Sequence, residues 1–320
     1  MIRPVFIFLL SLEEKVEPAK PETPKPSEVK KQYVEKKYEE MKKEYKPLKK
    51  KAEAASQRSL SNRTKVFFEN SKNIVRNAVD NTVGLGIAKY QNYKTKKHFK
   101  KDASSTDEIV YLMHGLFQNE GSQWRLAKQL RKEGKHAYHL KGHHSLPRKE
   151  NADKSFEQID EMHKYTELKN AEKRRDTFSG HSSGGDVGIY MAGDERIRQY
   201  GIKKVQARAP APSGIKAKTL PQKLLVPFAS ADDVRKTSGK KHALEITKRK
   251  PTVNVQIVAG KYDNLVRPSN AVYKHAKAHY IIEHPDSTHF GTSGGNKEMN
   301  KITIDLMNKA DKYKEEYQTA

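Results

Sequence analysis

An α/β chain built on a mainly parallel sheet is what this sequence predicts, on three observations. From residue 106 onward, short apolar runs alternate with helical segments, the pattern of strands covered by helices on both faces. Polar residues capable of chemistry stand directly after several of these runs, at the edge where open α/β sheets assemble their sites. The composition also changes near residue 105. With 320 residues, the chain has room for one catalytic domain of about 200 to 250 residues and an appendage.

Composition narrows the possibilities further. Lys and Arg number 63 against 39 Asp and Glu, a formal charge of +24. Hydrophobic residues make up 35% and mean hydropathy is −0.93, which implies a Lys-rich solvated surface and some extended or loosely attached chain. There is no cysteine, which excludes disulfides, Cys-ligated zinc, iron–sulfur clusters and thiol nucleophiles.

Residues 1–105 hold 25 Lys/Arg and 13 Asp/Glu, a net +12 in a third of the chain. The apolar run Val5 to Leu10 is far short of the roughly 20 residues that span a bilayer. With Arg3 it has the make-up of a minimal signal peptide, yet Glu13, Glu14 and Lys15 follow where a small-residue cleavage site belongs. This reading leans to a cytoplasmic or membrane-surface protein and leaves export open. Pro18, Pro21, Pro24 and Pro26 make residues 16–27 an extended linker. Val29, Tyr33, Val34, Tyr38, Met41 and Tyr45 then fall on one side of a helix between Ser27 and Pro47. A second amphipathic helix is predicted from Thr64 to about Asn81, with Val66, Phe67, Ile74, Val75, Ala78 and Val79 as the stripe that docks on a core. Basic faces of this kind also suit an anionic membrane surface. A nucleic-acid role would rest on charge alone, because no base-reading motif accompanies the lysines, so nucleic acid is not expected as a partner.

Six strands follow: Ile109 to Met113, Ala137 to Leu140, Thr177 to Ser179, Lys204 to Ala207, Val253 to Val258 and Tyr280 to Glu283. The clearest helices between and after them are Ser122 to Glu133, Ser183 to Ala192, Ser269 to Ala278 and Lys297 to Tyr313.

Gly180-His181-Ser182-Ser183-Gly184 lies between a strand and a helix, the context of a G-x-S-x-G nucleophile elbow. A serine at such a strained turn projects its hydroxyl above the sheet, and glycines two positions away let neighbouring backbones come close. Ser182 is the candidate nucleophile. Ser183 is out of register for that role, because His181 occupies the place of its flanking glycine. A serine needs a base, and the base needs an orienting carboxylate. Asp263 follows strand Val253 to Val258, and His289 follows strand Tyr280 to Glu283. The order Ser182, Asp263, His289 is the Ser, Asp/Glu, His order of one known class of triad. Asp232 and Asp233 are rivals to Asp263, and Asp286 is a neighbour of His289 along the chain. His114-Gly115-Leu116-Phe117 directly follows the first strand, so the Leu116 and Ser183 amides are candidate oxyanion-hole donors.

With these motifs in place, residues 106–313 resemble the α/β-hydrolase superfamily, and within it small lipases and esterases. The resemblance rests on His114-Gly115, the Leu140-Lys141-Gly142-His143-His144-Ser145 stretch, the Gly180 to Gly185 elbow, Gly260 to Asp263, and His289. It implies an α/β-hydrolase fold, a sheet of about six to eight strands, and a serine ester hydrolase. That enzyme works through an acyl-enzyme, with Ser182 attacking, His289 as base and then acid, and Asp263 holding the imidazole. No cofactor is implied. His136, His139, His143 and His144 invite a metal reading, but no acidic cluster adjoins them in sequence and none is assigned. The family's sheet starts with one or two strands before the His-Gly strand; here that region reads as helix apart from Val83 to Ile87. The resemblance also suggests a cap or lid over about residues 213–250. On this division, residues 1–105 are a basic extension and 106–320 the catalytic domain. Small-molecule or lipid esters are the expected substrates, and the oligomeric state is not legible. Thioesterase, peptidase or acyltransferase chemistry on the same residues, and a non-catalytic anionic-surface binder, remain alternatives.

Overall fold

A computed structural model of the chain describes residues 26–56, 63–143, 145–214, 237–309 and 317–319. Seven strands form one sheet: β1 (Ile109–Met113), β2 (His136–Leu140), β3 (Asp176–His181), β4 (Ile202–Arg208), β5 (Asn254–Gly260), β6 (Ala278–Ile282) and β7 (Tyr317–Thr319). Their order is β2-β1-β3-β4-β5-β6-β7, with every neighbouring pair parallel. The six expected strands are present, each with ends within two residues of those predicted. β1 and β3 are buried along their whole length, as expected of strands covered on both faces.

The chain runs from β1 outward to β2 and then returns to pair β3 on the other side of β1. Crossovers therefore leave in opposite directions, and a crevice opens at the carboxyl ends of β1 and β3.

Helices α1 (Pro26–Ala55) and α2 (Arg63–Lys101) precede the sheet. Val34, Tyr38, Met41 and Tyr45 of α1 are buried against Ala243, Leu244, Val272 and Ile281, as the predicted spacing requires, whereas Tyr33 is exposed. The helix does not stop at Pro47. Pro47 and Lys43, whose carbonyl loses its partner there, both face solvent, so water takes the freed acceptor.

α2 departs most from expectation. It runs through Val83 to Ile87 as helix, and it turns the predicted docking stripe outward: Phe67, Ile74, Val75 and Val79 are exposed, and of that stripe's large side chains only Val66 is buried. Its inward face carries Asn73, Asn77, Asp80, Gln91 and Thr95. Of these, Thr95, together with the half-buried Asn92, satisfies backbone that a neighbouring strand would otherwise satisfy. Asn92 accepts from His139 N at 2.7 Å and donates to His139 O at 2.9 Å, while Thr95 Oγ1 donates to Ala137 O at 2.7 Å. The open edge of β2 is thus closed by a helix instead of the strands the resemblance led one to seek. Two turns earlier, α2 crosses the Glu120–Gln123 turn so closely that a Cβ on Gly84 would lie 2.4 Å from Gly121 O.

The remaining helices are α3 (Trp124–Lys132), α4 (Arg148–Thr166), α5 (Ser183–Ala192), α6 (Arg196–Gln199), α7 (Thr237–Lys248) and α8 (Lys297–Asn308). Two corrections follow. The helix expected from Ser269 to Ala278 is a short 3₁₀ turn, Pro268–Asn270, followed by irregular chain; Val272 joins the cluster under α1 and Tyr273 the main core, with the Tyr273 amide donating to His279 Nε2 at 3.2 Å instead of to a helical carbonyl. The cap expected over about 213–250 does not include residues 237–248, because α7 is the crossover helix before β5 and packs under α1. Residues 215–236 lie outside the described residues, as do the 1–25 segment and the 310–313 end of the last expected helix.

Removing the Asn92 amide tests the edge closure. Asn92→Ala leaves an N–H and a C=O of β2 without their partner, at a cost of about 1 to 3 kcal/mol. We expect a lower thermal midpoint, measured by circular dichroism; an unchanged midpoint would mean that water serves that edge equally well.

Buried histidines make the fold acid-sensitive. Burial, the largest cause in each case, lowers His139 to about 3, and His163 and His279 to about 4. These rings stay neutral in the folded chain while the unfolded chain takes up protons near 6.5, so stability falls as pH drops from about 6.5 toward 4. Asp176, raised to about 6 by burial, acts in the opposite sense, because there the folded chain holds the extra proton. His136, lowered to about 4, and His181 act with the other histidines, so the expected net uptake on unfolding near pH 5 is roughly four protons, or about 5 kcal/mol per pH unit. Urea midpoints at pH 7, 6 and 5 check this, and a flat series would refute it.

Candidate active site

Ser182 follows β3 and begins α5, at φ 52° and ψ −120°. A positive φ is a strained conformation for a residue with a Cβ. It is sustained here by close backbone approaches on both sides. A Cβ at Gly180 would lie 2.1 Å from Gly184 O, and one at Gly184 would lie 2.5 Å from His114 O. The two glycines of the pentapeptide are thus required by space. The turn is tied down further by Ser182 N donating to Arg208 O at 2.7 Å.

The three residues singled out from the sequence meet in one hydrogen-bonded line. Ser182 Oγ is 3.1 Å from His289 Nε2, and His289 Nδ1 is 2.7 Å from Asp263 Oδ2. Asp263 is fully buried and follows β5; its other oxygen accepts from Leu265 N at 2.8 Å and Val266 N at 2.7 Å. Those two amides fix the direction of the carboxylate. Asp286 turns away from His289 and accepts from Asn73 of α2 at 3.3 Å. Asp232 and Asp233 lie outside the described residues.

Leu116 comes just after β1 and Ser183 at the N-terminus of α5. Gly115 packs so closely on the elbow that a Cβ there would be 2.8 Å from Ser182 Cβ, which brings the strand-end turn beside the serine.

Sequence reasoning missed the residues that hold these turns. His114 Nδ1 donates to Gly115 O at 3.0 Å, and its Nε2 accepts from Gly142 N at 3.1 Å, linking the turns after β1 and β2. Gln118 Oε1 accepts from Gly115 N at 2.9 Å, and Gln118 Nε2 donates to Asn77 of α2 at 2.6 Å. His181 lies between Gln118 Oε1, 3.0 Å from Nδ1, and His289 O, 2.9 Å from Nε2. Burial, aided by the neighbouring His289 and Arg208, lowers His181 well below its ordinary value; its neutral ring has one N–H, so it donates to one of these two oxygens and packs against the other, between the turn after β1 and the histidine loop. Beneath that loop, buried Arg208 donates to Thr292 O at 2.8 Å and Ser293 O at 3.0 Å. The His-Gly motif pointed to His114; Gln118, Asn77 and Arg208 carry no sequence signal of their own, Asn77 meeting Gln118 across 41 positions and Arg208 meeting Ser179 across 29.

Two clusters away from this line could share a cation: His98, Asp107 and His136, and His284, Asp286 and Glu298, with donor atoms within 4.8 Å of one another in each. Of the other histidines considered, His139 bonds Gln91 at 2.8 Å and the His143 amide bonds Asn151 at 2.9 Å; His144 lies outside the described residues.

The parallel sheet order, the switch-point crevice and the strained serine elbow together define an α/β-hydrolase fold. No protein-family model and no curated protein matches the chain. Solved structures similar to it include a hyperthermophilic esterase from the archaeon Pyrobaculum calidifontis, at 13% identity and TM-score 0.47, covering 68% of this chain and 92% of that one. A lipase-esterase related protein from Clostridium acetobutylicum is similar at 13% identity and TM-score 0.43, covering 64% and 96%. An esterase from Exiguobacterium antarcticum is similar at 16% identity and TM-score 0.40, covering 64% and 91%.

Proposed function

We propose that the protein is a serine hydrolase of carboxylic esters. The observation that carries this reading is the continuous line Ser182, His289, Asp263 at a strained elbow facing the crevice. In this mechanism Ser182 Oγ attacks the ester carbonyl as His289 Nε2 takes its proton, and Asp263 holds the imidazole and balances the imidazolium charge. The carbonyl oxygen becomes an oxyanion that the Leu116 and Ser183 amides bind. Collapse expels the alcohol, protonated by His289, and leaves an acyl group on Ser182. Water, deprotonated by His289, attacks that acyl group; the acid departs and the serine regains its proton. None of these steps calls for a cofactor. Small-molecule and lipid esters are the substrates this chemistry takes.

The test is hydrolysis of p-nitrophenyl esters from acetate to palmitate, with a fluorophosphonate probe to mark the nucleophile. The expected result is turnover on part of the series, which sizes the acyl pocket, and covalent labelling at Ser182. No turnover on any ester together with no labelling would refute the reading; labelling with turnover confined to thioesters or peptides would change the leaving group but keep the site.

A further inference from the structure

α2 has the reverse of the usual amphipathic arrangement, and its outer face is graded along its length. Phe67, Phe68, Ile74, Val75, Val79 and Val83 are each roughly half or more exposed. Further along the same side stand exposed Tyr90 and Tyr93, with Lys94 Nζ 4.7 Å from the Tyr90 ring. Lysines follow: from residue 81 to 101 the helix has six, and no Asp or Glu. Positions 68, 75, 79, 83, 86, 90, 93, 97 and 100 fall at steps of seven, four and three, which is one face of a helix about 48 Å long over that span. Apolar side chains, then tyrosines, then ammonium groups is the succession met on passing out of a lipid leaflet, through acyl chains, interfacial carbonyls and phosphates.

The same helix forms the rim of the crevice. Asn73 and Asn77 on its inner side bond Thr288 and Gln118, and Asn81 donates to Phe117 O at 3.3 Å, next to Leu116. The apolar turns lie on the outer side of those residues. No described helix is long and apolar enough to cross a membrane, so the face suits a surface-lying role.

We infer that the outer face of α2 docks the protein on an anionic lipid surface, with its apolar turns among acyl chains and its lysines against phosphates, so that the crevice opens beside the membrane. Charge selects this occupant. A second copy would bring another +24 against the same lysine-bearing helix, whereas anionic headgroups complement it. The inference deepens the ester-hydrolase reading by placing the substrate in the lipid surface, and it rests on that reading for the substrate alone.

The experiment uses the full chain with vesicles of phosphatidylcholine, with and without phosphatidylglycerol, followed by flotation. Ser182→Ala is run beside the wild type, so binding is read without catalysis. Binding to the phosphatidylglycerol vesicles that falls with added salt is expected. The exposed pair Val75→Glu and Val79→Glu should weaken it roughly tenfold or more, while hydrolysis of a short soluble ester stays unchanged. A Lys94→Glu and Lys97→Glu pair should weaken binding and reduce its salt dependence. Failure to float with anionic vesicles, or flotation indifferent to the valine pair, would overturn the inference even if ester hydrolysis is found. So would a dimer in sedimentation that the valine pair dissociates, because the face would then belong to a second copy. Vesicle binding without ester hydrolysis would keep the docking face and refute only the proposed chemistry.

Discussion

Ser182→Ala is expected to lower kcat on p-nitrophenyl esters by about 10⁴ to 10⁶, with KM little changed. The argument is one of chemistry and position: no other hydroxyl is bonded to His289 Nε2 among the described residues, so the variant keeps the crevice and loses the group that attacks. His289→Ala should cost a similar factor, because serine without its base is a poor nucleophile, and the two losses should not add. Asp263→Asn is the more discriminating change. The amide keeps the size of the side chain but holds the imidazole less well in the tautomer that presents a free Nε2 to Ser182, for a loss of about 10⁴. Steady-state kinetics on purified variants with matched circular dichroism checks all three. Ser182→Ala retaining most of the wild-type rate would mean that another group attacks.

Deleting residues 1–105 is expected to leave no folded, active enzyme. A basic extension that merely tethers a hydrolase would be dispensable, but α2 is built into the domain. It closes the β2 edge through Asn92 and Thr95, holds the Leu116 turn through Asn77 and Gln118, and receives Trp124 Nε1 on Asp80 at 2.8 Å. Without it, the β2 edge is an open template for pairing with other chains, and Gln118 is left with an unpaired amide in a buried position. Expression of the truncated chain, followed by solubility and esterase assays, decides the matter. A soluble truncation with wild-type kcat would return α2 to the status of an appendage.

The strands and the reacting residues were legible because each carries a local signal. Buried parallel strands are continuous apolar runs, and the elbow needs glycine at defined spacings because its neighbours' carbonyls leave no room for a Cβ. Asp263 and His289 could be named because the sheet places strand ends along one edge. α2 was misread for a physical reason. Hydrophobic periodicity assumes that the apolar side faces the core, whereas here the inward side meets the backbone of a strand edge and the polar side chains of Gln118, Trp124 and Thr288, which call for Asn, Asp and Thr. Periodicity also did not single out α4, which buries Arg148, Asn151 and Ser155 beside its apolar residues. The absent helix at 269–278 fails for a different reason, since the Tyr273 amide bonds the His279 ring instead of a helical carbonyl.

The bond from Asn73 to Thr288 joins residues 215 positions apart, and this has a consequence for the order in which the crevice is assembled on the ribosome. α2 emerges ahead of the whole sheet, with both its apolar and its polar faces unmet. The β2 edge reaches it after some forty more residues, whereas the loop bearing His289 follows Ser182 by 107 residues. Nascent chains would therefore carry the elbow serine well before its histidine partner, and the line of three would close only after β6 has been made.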